Sequence, residues 1–351
     1  MKLTVNRSKR APRTPRSPRT FALGSLLLGA ALLTACGGGG SQVQTFTATR
    51  VIALGDESSL INPDGTKYTV NAVVFDTTTT PPTPTTKLDC ASNPLWVQLV
   101  AGAYGLVFPQ CNPAAVAAPV SRIYAVNGAK VANLAAQIDQ QIASGGFAPT
   151  DLVTILVGPN DVVAQFAQYP AVGEATLAGN LEQSGKALAA QVNRVAGLGA
   201  KVLIATIPDM GLAPFAGDRS VGAANTNAGV LTRLSVRFND ALLAEIFKLV
   251  NDGHKVGLVQ LDEYMQAVDR ARANGTGSFA NTTLAACLPT APLPVCTSQT
   301  LGTDANAIPA PATVSPASAT SWLWADGQHL SAGGQASLGS LAVARARNNP
   351  F

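Results

Sequence analysis

The chain has 351 residues, of which 47% are hydrophobic and 13% are charged, a composition that excludes a disordered protein and is sufficient for one large domain or two small ones. Seven of the 24 basic residues lie within the first 20 positions, and the rest of the chain carries 17 basic and 20 acidic residues, so a nucleic-acid partner is not expected. The chain has only two histidines, which excludes most histidine-rich metal sites, and the sequence predicts neither a metal nor a cofactor.

The first 35 residues have the pattern of an export signal peptide. A basic segment is followed by an apolar run that ends directly before Cys36. The run is shorter than the roughly 20 residues that a membrane-spanning helix needs. Its last three residues, Leu-Thr-Ala, together with Cys36 resemble the bacterial lipobox, in which the cysteine is acylated and becomes the mature N-terminus.

This resemblance implies a signal peptide at 1–35, a lipid on Cys36 and a flexible tether at 36–45. The residue after Cys36 is Gly37 rather than an aspartate, and in this the chain resembles the lipoproteins that are sorted to the outer membrane. We therefore expect an exported protein whose membrane contact is an N-terminal lipid anchor, held at the bacterial outer membrane. The alternative is an ordinary secretory signal followed by a coincidental cysteine.

Regular elements follow from the apolar pattern of the mature chain. Five short runs predict strands that are buried on both faces, at 49–54, 123–126, 152–157, 201–207 and 256–261. Apolar residues spaced three and four apart, or alanine-rich segments, predict helices at 131–142, 174–196, 231–249 and 332–346. The alternation predicts an α/β protein, a three-layer α/β/α sandwich with a mainly parallel five-stranded sheet of the flavodoxin-like type. Its active site is expected beyond the carboxyl ends of the strands.

Two insertions interrupt the pattern, at about 62–121 and 265–321, within a domain that spans 46–351. The first contains ten consecutive Thr and Pro residues at 77–86, which predict an exposed loop without regular pairing, and then a short helix around Trp96. The second is rich in Ala, Thr, Pro and Asn. We expect both to form loops over the functional edge of the sheet.

The four remaining cysteines form an even set in a chain with an export signal, which predicts disulfides. Three pairings are open to them. We favour Cys90–Cys111 and Cys287–Cys296, because each pair is local and brackets an irregular insertion. Zinc is the alternative, but none of the four has the close C-x₂-C spacing of zinc sites.

Three polar turn sequences follow predicted strands, and a fourth precedes the last helix. Gly-Asp-Glu-Ser-Ser begins at Gly55, Asn-Gly ends at Gly128, and Gly-Pro-Asn-Asp contains Asn160. Asp-Gly-Gln-His runs from Asp326 to His329. In a parallel sheet these turns meet at one edge. Acyl transfer needs a nucleophile, a base, a group that orients the base and donors for the oxyanion, and these residue types supply all four.

The order and spacing of these turns resemble the GDSL, or SGNH, superfamily of esterases and lipases over nearly the whole mature chain. The resemblance implies that His329 is the general base and that Asp326 orients it and stabilises the imidazolium. It also implies that Asn160 donates its side-chain amide to the oxyanion and that Gly128 donates its backbone N–H. No metal or cofactor takes part in this chemistry.

The first turn departs from the family pattern, in which a serine nucleophile follows Gly-Asp. Here Glu57 stands at that position, and Ser58 and Ser59 come after it. A one-residue bulge would bring Ser58 into place, and we take Ser58 as the predicted nucleophile, with Ser59 as the alternative and a site without a serine nucleophile also open. A serine mechanism requires Glu57 to point away from the oxyanion site, because a carboxylate there opposes the tetrahedral intermediate.

The sequence therefore predicts a lipid-anchored serine esterase or lipase that hydrolyses carboxylic esters outside the cytoplasm. Its expected partners are a small-molecule or lipid ester as substrate and the membrane that holds the anchor, while the oligomeric state stays open. The alternative is a degenerate lipoprotein of the same fold that binds an ester, glycan or lipid without turnover, and Glu57 is the residue that favours it.

Overall fold

The computed structural model describes residues 46–217, 227–249, 255–306 and 312–348. The predicted signal peptide, Cys36 and the tether lie outside the described residues. The strands are β1 (Arg50–Gly55), β2 (Ala72–Asp76), β3 (Thr83–Asp89), β4 (Arg122–Ile123), β5 (Asp151–Leu156), β6 (Lys201–Ala205), β7 (Val256–Val259), β8 (Asn281–Ala285) and β9 (Trp322–Trp324). The α-helices are α1 (Trp96–Gly102), α2 (Leu134–Ala143), α3 (Pro159–Phe166), α4 (Glu174–Gly197), α5 (Asn227–Leu249), α6 (Leu261–Ala273) and α7 (Ala332–Asn348).

The central sheet has five parallel strands in the order β4-β1-β5-β6-β7. Numbered by their own succession, the strands read 2-1-3-4-5, which is the flavodoxin-like order. The predicted fold is therefore confirmed. The chain reverses its direction of winding at β1, so β1 and its neighbour β5 end at the switch point where such sheets bind ligands.

Burial on both faces explains the apolar content of the strands. All six residues of β5 are buried, and five of the six in β1. Helices cover the sheet in two groups: α4 packs against α5, with α2 and α3 beside them, whereas α7 packs against α1 and β7. The buried side of α4 repeats at helical spacing, through Leu177, Leu181, Leu188, Val192 and Val195. No helix in the described part of the chain is long and apolar enough to cross a membrane.

The first insertion differs from its prediction. Residues 77–86 were expected to lack regular pairing, but β3 begins at Thr83 and pairs in an antiparallel ladder with β2, where Phe75 lies opposite Pro84. This pair forms its own two-stranded sheet, so each strand has one free edge. A proline is tolerated on such a strand because its missing N–H is not needed on the unpaired side. The helix expected around Trp96 is present as α1.

The second insertion also contains more regular structure than a loop. Helix α6 continues to Ala273, and its buried residues Leu261, Met265 and Val268 are spaced four and three apart. Further on, β8 pairs in parallel with β9. The prediction of a loop from residue 265 is wrong there, because the last predicted strand was drawn two residues too long and hid the start of this helical pattern.

The disulfide prediction is confirmed. Cys90 is bonded to Cys111 and Cys287 to Cys296, with Cα–Cα distances of 5.7 and 5.9 Å. Each bond closes a local loop within one insertion. Each bond therefore restricts the conformations of its own insertion.

Candidate active site

The site begins where β1 ends, at a glycine that no other residue could replace without strain. Gly55 has φ +121°, and a Cβ at this position would lie 1.9 Å from the carbonyl oxygen of Leu156 on β5. The side chain of Gln137 binds the same residue twice. Its Oε1 accepts from the Gly55 N–H at 2.7 Å, and its Nε2 donates to the Gly55 carbonyl at 2.8 Å. The direction in which the chain leaves the sheet is therefore fixed.

Asp56 caps the 3-10 turn Glu57–Ser59 that follows. Its Oδ1 accepts from the Ser58 N–H at 3.0 Å. Burial, followed by the charge of Glu57, raises the pKa of Asp56 to about 8. Asp56 therefore holds its proton at neutral pH, and the negative charge of the turn is carried by Glu57.

The carboxylate of Glu57 is the centre of the site. Its Oε2 accepts the backbone N–H of Gly128 at 2.8 Å, and Nδ2 of Asn160 lies 3.1 Å from both carboxylate oxygens. Nε2 of His329 lies 3.0 Å from Oε1. The expectation that Glu57 points away from the oxyanion site is wrong. The physical reason is that the Gly128 N–H, the Asn160 amide and His329 form with a carboxylate the same hydrogen bonds that they are predicted to form with a transient oxyanion.

The two serines do not reach His329. Ser59 is fully buried, and its Oγ accepts from Nε1 of Trp96 at 3.1 Å. Ser58 lies at the edge of the same cleft as His329, and its hydroxyl contributes to lowering the pKa of Asp56. Among the described residues, neither serine hydroxyl forms a hydrogen bond with the His329 ring. The bulge that would bring Ser58 into place does not form, so Ser58 as nucleophile stays a prediction without this contact.

The expected pair of Asp326 and His329 is in contact. Nδ1 of His329 lies 2.8 and 2.9 Å from the two carboxylate oxygens of Asp326. Asp326 Oδ1 also accepts the backbone N–H groups of Gln328 and His329, at 2.9 and 2.7 Å. The short loop between β9 and α7 therefore holds the imidazole in one orientation before any substrate is bound.

His329 lies between two carboxylates. Burial lowers the pKa of its ring, but hydrogen bonds and charge from Asp326 and Glu57 outweigh burial and raise it to about 10. Burial raises the pKa of Glu57, yet the hydrogen bond with His329 and the Gly128 N–H bring it below its ordinary value. The pKa of Asp326 is lowered in the same way, against burial, by His329. At neutral pH the ring is an imidazolium with an anion on each side.

The backbone and neighbouring polar groups hold the two predicted oxyanion donors, Gly128 and Asn160, in place. Gly128 has φ +73°, which turns its N–H toward Glu57. Asn160 also donates to the carbonyl of Ala129 at 3.2 Å. The Asp161 carboxylate accepts the N–H of Val131 at 3.0 Å, so the start of α3 is joined to the loop that carries Gly128.

Three contributors were missed by the sequence reasoning. Gln137, which binds Gly55 from the predicted helix 131–142, was given no role. The ring of Tyr68 lies 5.9 Å from that of His329, between centroids, and Thr69 donates to the carbonyl of Leu330. Both belong to the first insertion, where no motif indicated proximity to the site. The described residues hold no cluster of three or more metal-ligating side chains.

A parallel α/β/α sheet of flavodoxin-like order that carries a His–Asp pair, a backbone N–H and a side-chain amide around one carboxylate at its carboxyl edge is the arrangement expected of a hydrolase. The chain belongs to the GDSL-like lipase/acylhydrolase family, whose pattern matches residues 117–341. It is thus an esterase-type hydrolase by family. The match contains Gly128, Asn160, Asp326 and His329 and begins after the turn that contains Glu57.

Solved structures give distant likenesses. An acetyl xylan esterase, AlAXEase, is 12% identical with a TM-score of 0.41, over 83% of this chain and 96% of that one. An acetylxylan esterase from Geobacillus stearothermophilus is 13% identical with a TM-score of 0.38, over 64% and 82%. A lipolytic G-D-S-L family protein from Veillonella parvula is 12% identical with a TM-score of 0.34, over 67% and 87%. Comparison with curated protein sequences gives no match. At these scores the structural likenesses carry no argument about substrate.

Proposed function

We propose that this protein is a lipid-anchored hydrolase of ester bonds outside the cytoplasm, in which Glu57 takes the place of the serine nucleophile. One observation carries the proposal: His329, Gly128 and Asn160, the groups that serve a serine in this family, all bind the Glu57 carboxylate. Carboxylates are established nucleophiles in enzymes, so the substitution preserves a reactive group at this position.

The charge state of His329 argues against the serine route through Ser58. A serine becomes a nucleophile when a neutral imidazole accepts its proton. With Glu57 ionised beside it, His329 has a pKa of about 10 and holds its proton at neutral pH. A carboxylate, by contrast, needs no base, because it is already an anion.

The test compares single substitutions in the hydrolysis of p-nitrophenyl acetate, whose phenolate leaves easily enough for a carboxylate to displace it. Glu57→Gln and His329→Ala should each lower kcat/KM by about 10²-fold or more, since members of one catalytic unit fail together. Ser58→Ala separates the two mechanisms. If Glu57 is the nucleophile, its rate stays within about threefold of the parent, whereas a serine mechanism predicts that it loses as much as His329→Ala.

The anchor is supported by the leader and by the two local disulfides, which fit an oxidising compartment. Two or three acyl chains on Cys36 would hold the protein stably, at about 0.8 kcal/mol for each buried CH₂. The parent should fractionate with outer membranes, and Cys36→Ser should be soluble or unprocessed. If that variant matures and fractionates like the parent, the anchor is excluded.

A second function is favoured by the same contacts. Because Glu57 already occupies both oxyanion donors, a protein that binds an ester, glycan or lipid without turnover would have this arrangement. A purified parent protein that is inert towards p-nitrophenyl esters of short and long acids, yet binds one of these ligands with an affinity that Glu57→Gln changes, would establish the binding function.

A further inference from the structure

We infer that the substrate is attacked at a saturated carbon, so that the site cleaves alkyl esters of strong acids, such as sulfonates or sulfates, through an alkyl ester of Glu57. The inference rests on the proposed function, since it takes Glu57 as the nucleophile. It differs in the bond that breaks: the alkyl carbon is transferred, and the acid of the substrate departs with all of its oxygens.

Acyl transfer to Glu57 from an ester of an aliphatic alcohol is disfavoured by the geometry and by the leaving group. An acyl substrate develops a negative charge on its carbonyl oxygen, and that charge needs the Gly128 N–H and the Asn160 amide. Both donors already bind Glu57, at 2.8 and 3.1 Å, so neither is free for the oxygen of the substrate. A tetrahedral intermediate formed from an aliphatic ester would also collapse backwards, because a carboxylate leaves more readily than an alkoxide.

Attack at a saturated carbon has neither difficulty. The displacement passes through no tetrahedral intermediate and puts no charge on a substrate carbonyl, so the occupied donors do no harm. A carboxylate oxygen forms a bond to the alkyl carbon while the bond to the sulfonate or sulfate oxygen breaks, and the electron pair leaves with that anion. The strength of the departing acid sets the rate, which is why esters of strong acids are the fitting class.

The second half of the reaction uses the groups that this family provides. In the alkyl ester the attacking oxygen carries the alkyl group, while Oε2 remains 2.8 Å from the Gly128 N–H and within reach of Asn160. The oxyanion donors therefore hold the carbonyl oxygen of the enzyme's own ester. Water attack on that ester places the developing charge where these donors already point.

Alkylation also frees the base. The ester has no negative charge, so His329 loses one of the two anions that raise its pKa to about 10, and its proton can pass to solvent. Nε2, which contacts Oε1 at 3.0 Å, then binds a water molecule in place of the lost anion, and that water faces the ester carbon. The contact of Nδ1 with Asp326, at 2.8 Å, keeps the ring in the orientation that this step needs.

The steps balance. Neutral His329 removes a proton from water as the hydroxyl adds to the ester carbon of Glu57, and the resulting imidazolium returns that proton to the departing alcohol. One oxygen of water stays in the Glu57 carboxyl group. The sum is an alkyl sulfonate plus water giving an alcohol, a sulfonate anion and a proton, with no oxidant, reductant or cofactor.

The cleft beside Glu57 and His329 is narrow and has a mixed lining. Its apolar side chains are Leu156, Pro159, Pro208, Leu261 and Leu330, and its polar ones are Asp56, Ser58, Asn160 and Gln328. The cleft encloses only about 10 Å³, which is about the room that one water molecule needs. The alkyl carbon of a substrate therefore has to reach the carboxylate from the side that is open to solvent.

The first experiment traps the intermediate, with butyl p-toluenesulfonate as the probe. In His329→Ala the alkylation step remains and the hydrolysis step is lost, so we expect one butyl group per protein, on the peptide that contains Glu57. His329→Ala/Glu57→Gln should carry no adduct there. His329→Ala/Glu174→Gln, which alters a carboxylate on the surface of α4, should be alkylated like His329→Ala. An adduct that is absent from Glu57, or unchanged by Glu57→Gln, overturns the inference.

The second experiment follows oxygen in a single turnover with excess parent enzyme in water enriched in heavy oxygen. The heavy atom should enter Glu57 and leave the butanol unlabelled, because the alcohol takes its oxygen from the enzyme. Label in the butanol means direct attack of water on the substrate and overturns the inference. If the parent hydrolyses p-nitrophenyl acetate through Glu57 but forms no butyl ester, this inference is wrong and the proposed function stands. If the parent is inert in both assays, both are wrong.

Discussion

The turn after β1 and the stretch 117–341 contribute to one site, but they differ in how closely their residues follow the family pattern. The stretch supplies Gly128, Asn160, Asp326 and His329, and it matches the family pattern. The turn supplies Glu57 in place of a serine. Because Glu57 contacts His329, Gly128 and Asn160 directly, the two regions meet at this one carboxylate.

The contrast shows that the hydrogen-bond donors of the site do not distinguish between the kinds of anion that they bind. Hydrogen-bond donors bind an anion at a given position whether it belongs to a transition state or to a side chain. The change costs the enzyme its ordinary base, since an imidazolium between two carboxylates cannot accept a proton. What the site can do therefore depends on whether Glu57 stays charged during the reaction.

The strongest test of the contrast restores the missing group. Glu57→Ser removes the anion, lowers the pKa of His329 and puts a hydroxyl where the carboxylate now lies. We expect a protein that reacts with a fluorophosphonate and hydrolyses p-nitrophenyl acetate about 10²- to 10⁴-fold faster than Glu57→Ala. The label should map to residue 57.

Glu57→Ala is the matched control, because it removes the same charge without adding a nucleophile. It should stay unlabelled by the fluorophosphonate, as should the parent. If Glu57→Ser folds but is neither labelled nor active, the matched stretch no longer forms a working site, and the contrast fails.

The second test removes one hydrogen-bond donor from residues 117–341 and leaves the turn after β1 unchanged. Asn160→Ala removes a donor that lies 3.1 Å from both oxygens of Glu57 and should lower kcat by about 10²- to 10³-fold. Asn180→Ala is a control on the surface of α4, where the side chain donates a hydrogen bond to Gln165 and lies outside the site. Equal activity of Asn160→Ala and the parent would exclude Asn160 from the reaction.

The third test measures the electrostatic coupling between the two regions. NMR titration of the imidazole ring should give His329 a pKa of about 10 in the parent and a clearly lower one in Glu57→Gln. The raised pKa also predicts the sign of the stability effect. The charged ring contributes fully to the free energy of unfolding below its ordinary pKa of 6.5, and this contribution is lost as the pH rises through 10. A midpoint near 6.5 in the parent would mean that Glu57 does not hold the ring.

The smallest expected effect concerns the two disulfides, one before residue 117 and one after it. The Cys90–Cys111 bond closes 21 residues and the Cys287–Cys296 bond closes 9. Chain entropy predicts a loss of about 3 kcal/mol in unfolding free energy without the first and about 2.5 kcal/mol without the second. Denaturant unfolding of the two double Cys→Ser variants measures both values. The reverse order would show that the fold, rather than the length of the closed loop, decides the loss.

Much of the fold follows from the sequence because its signals are local. Buried parallel strands need runs of Val, Ile and Leu, and the five runs identify every strand of the central sheet. The pairs of β2 with β3 and of β8 with β9 were missed because one strand of each pair, β3 and β8, carries mostly polar or small residues. Their pairing comes from position within the folded chain, since β-propensity depends on neighbours.

The sequence by itself determined which chemical groups meet. The motifs around Gly128 and Asn160 follow β4 and β5, and topology brings the carboxyl ends of such parallel strands together whatever the intervening residues are. The motif of Asp326 and His329 precedes α7, and its resemblance to the family pattern indicated that it joins them. Only the tertiary structure decided which residue of the turn they meet. A shift of one residue in a 3-10 turn rotates a side chain by about 120°. The sequence Gly-Asp-Glu-Ser-Ser does not indicate whether Glu57 or Ser58 faces the site. The choice of Glu57 over Ser58 comes from three donors that converge on one carboxylate, a contact across 272 residues in the case of His329 that no local pattern records.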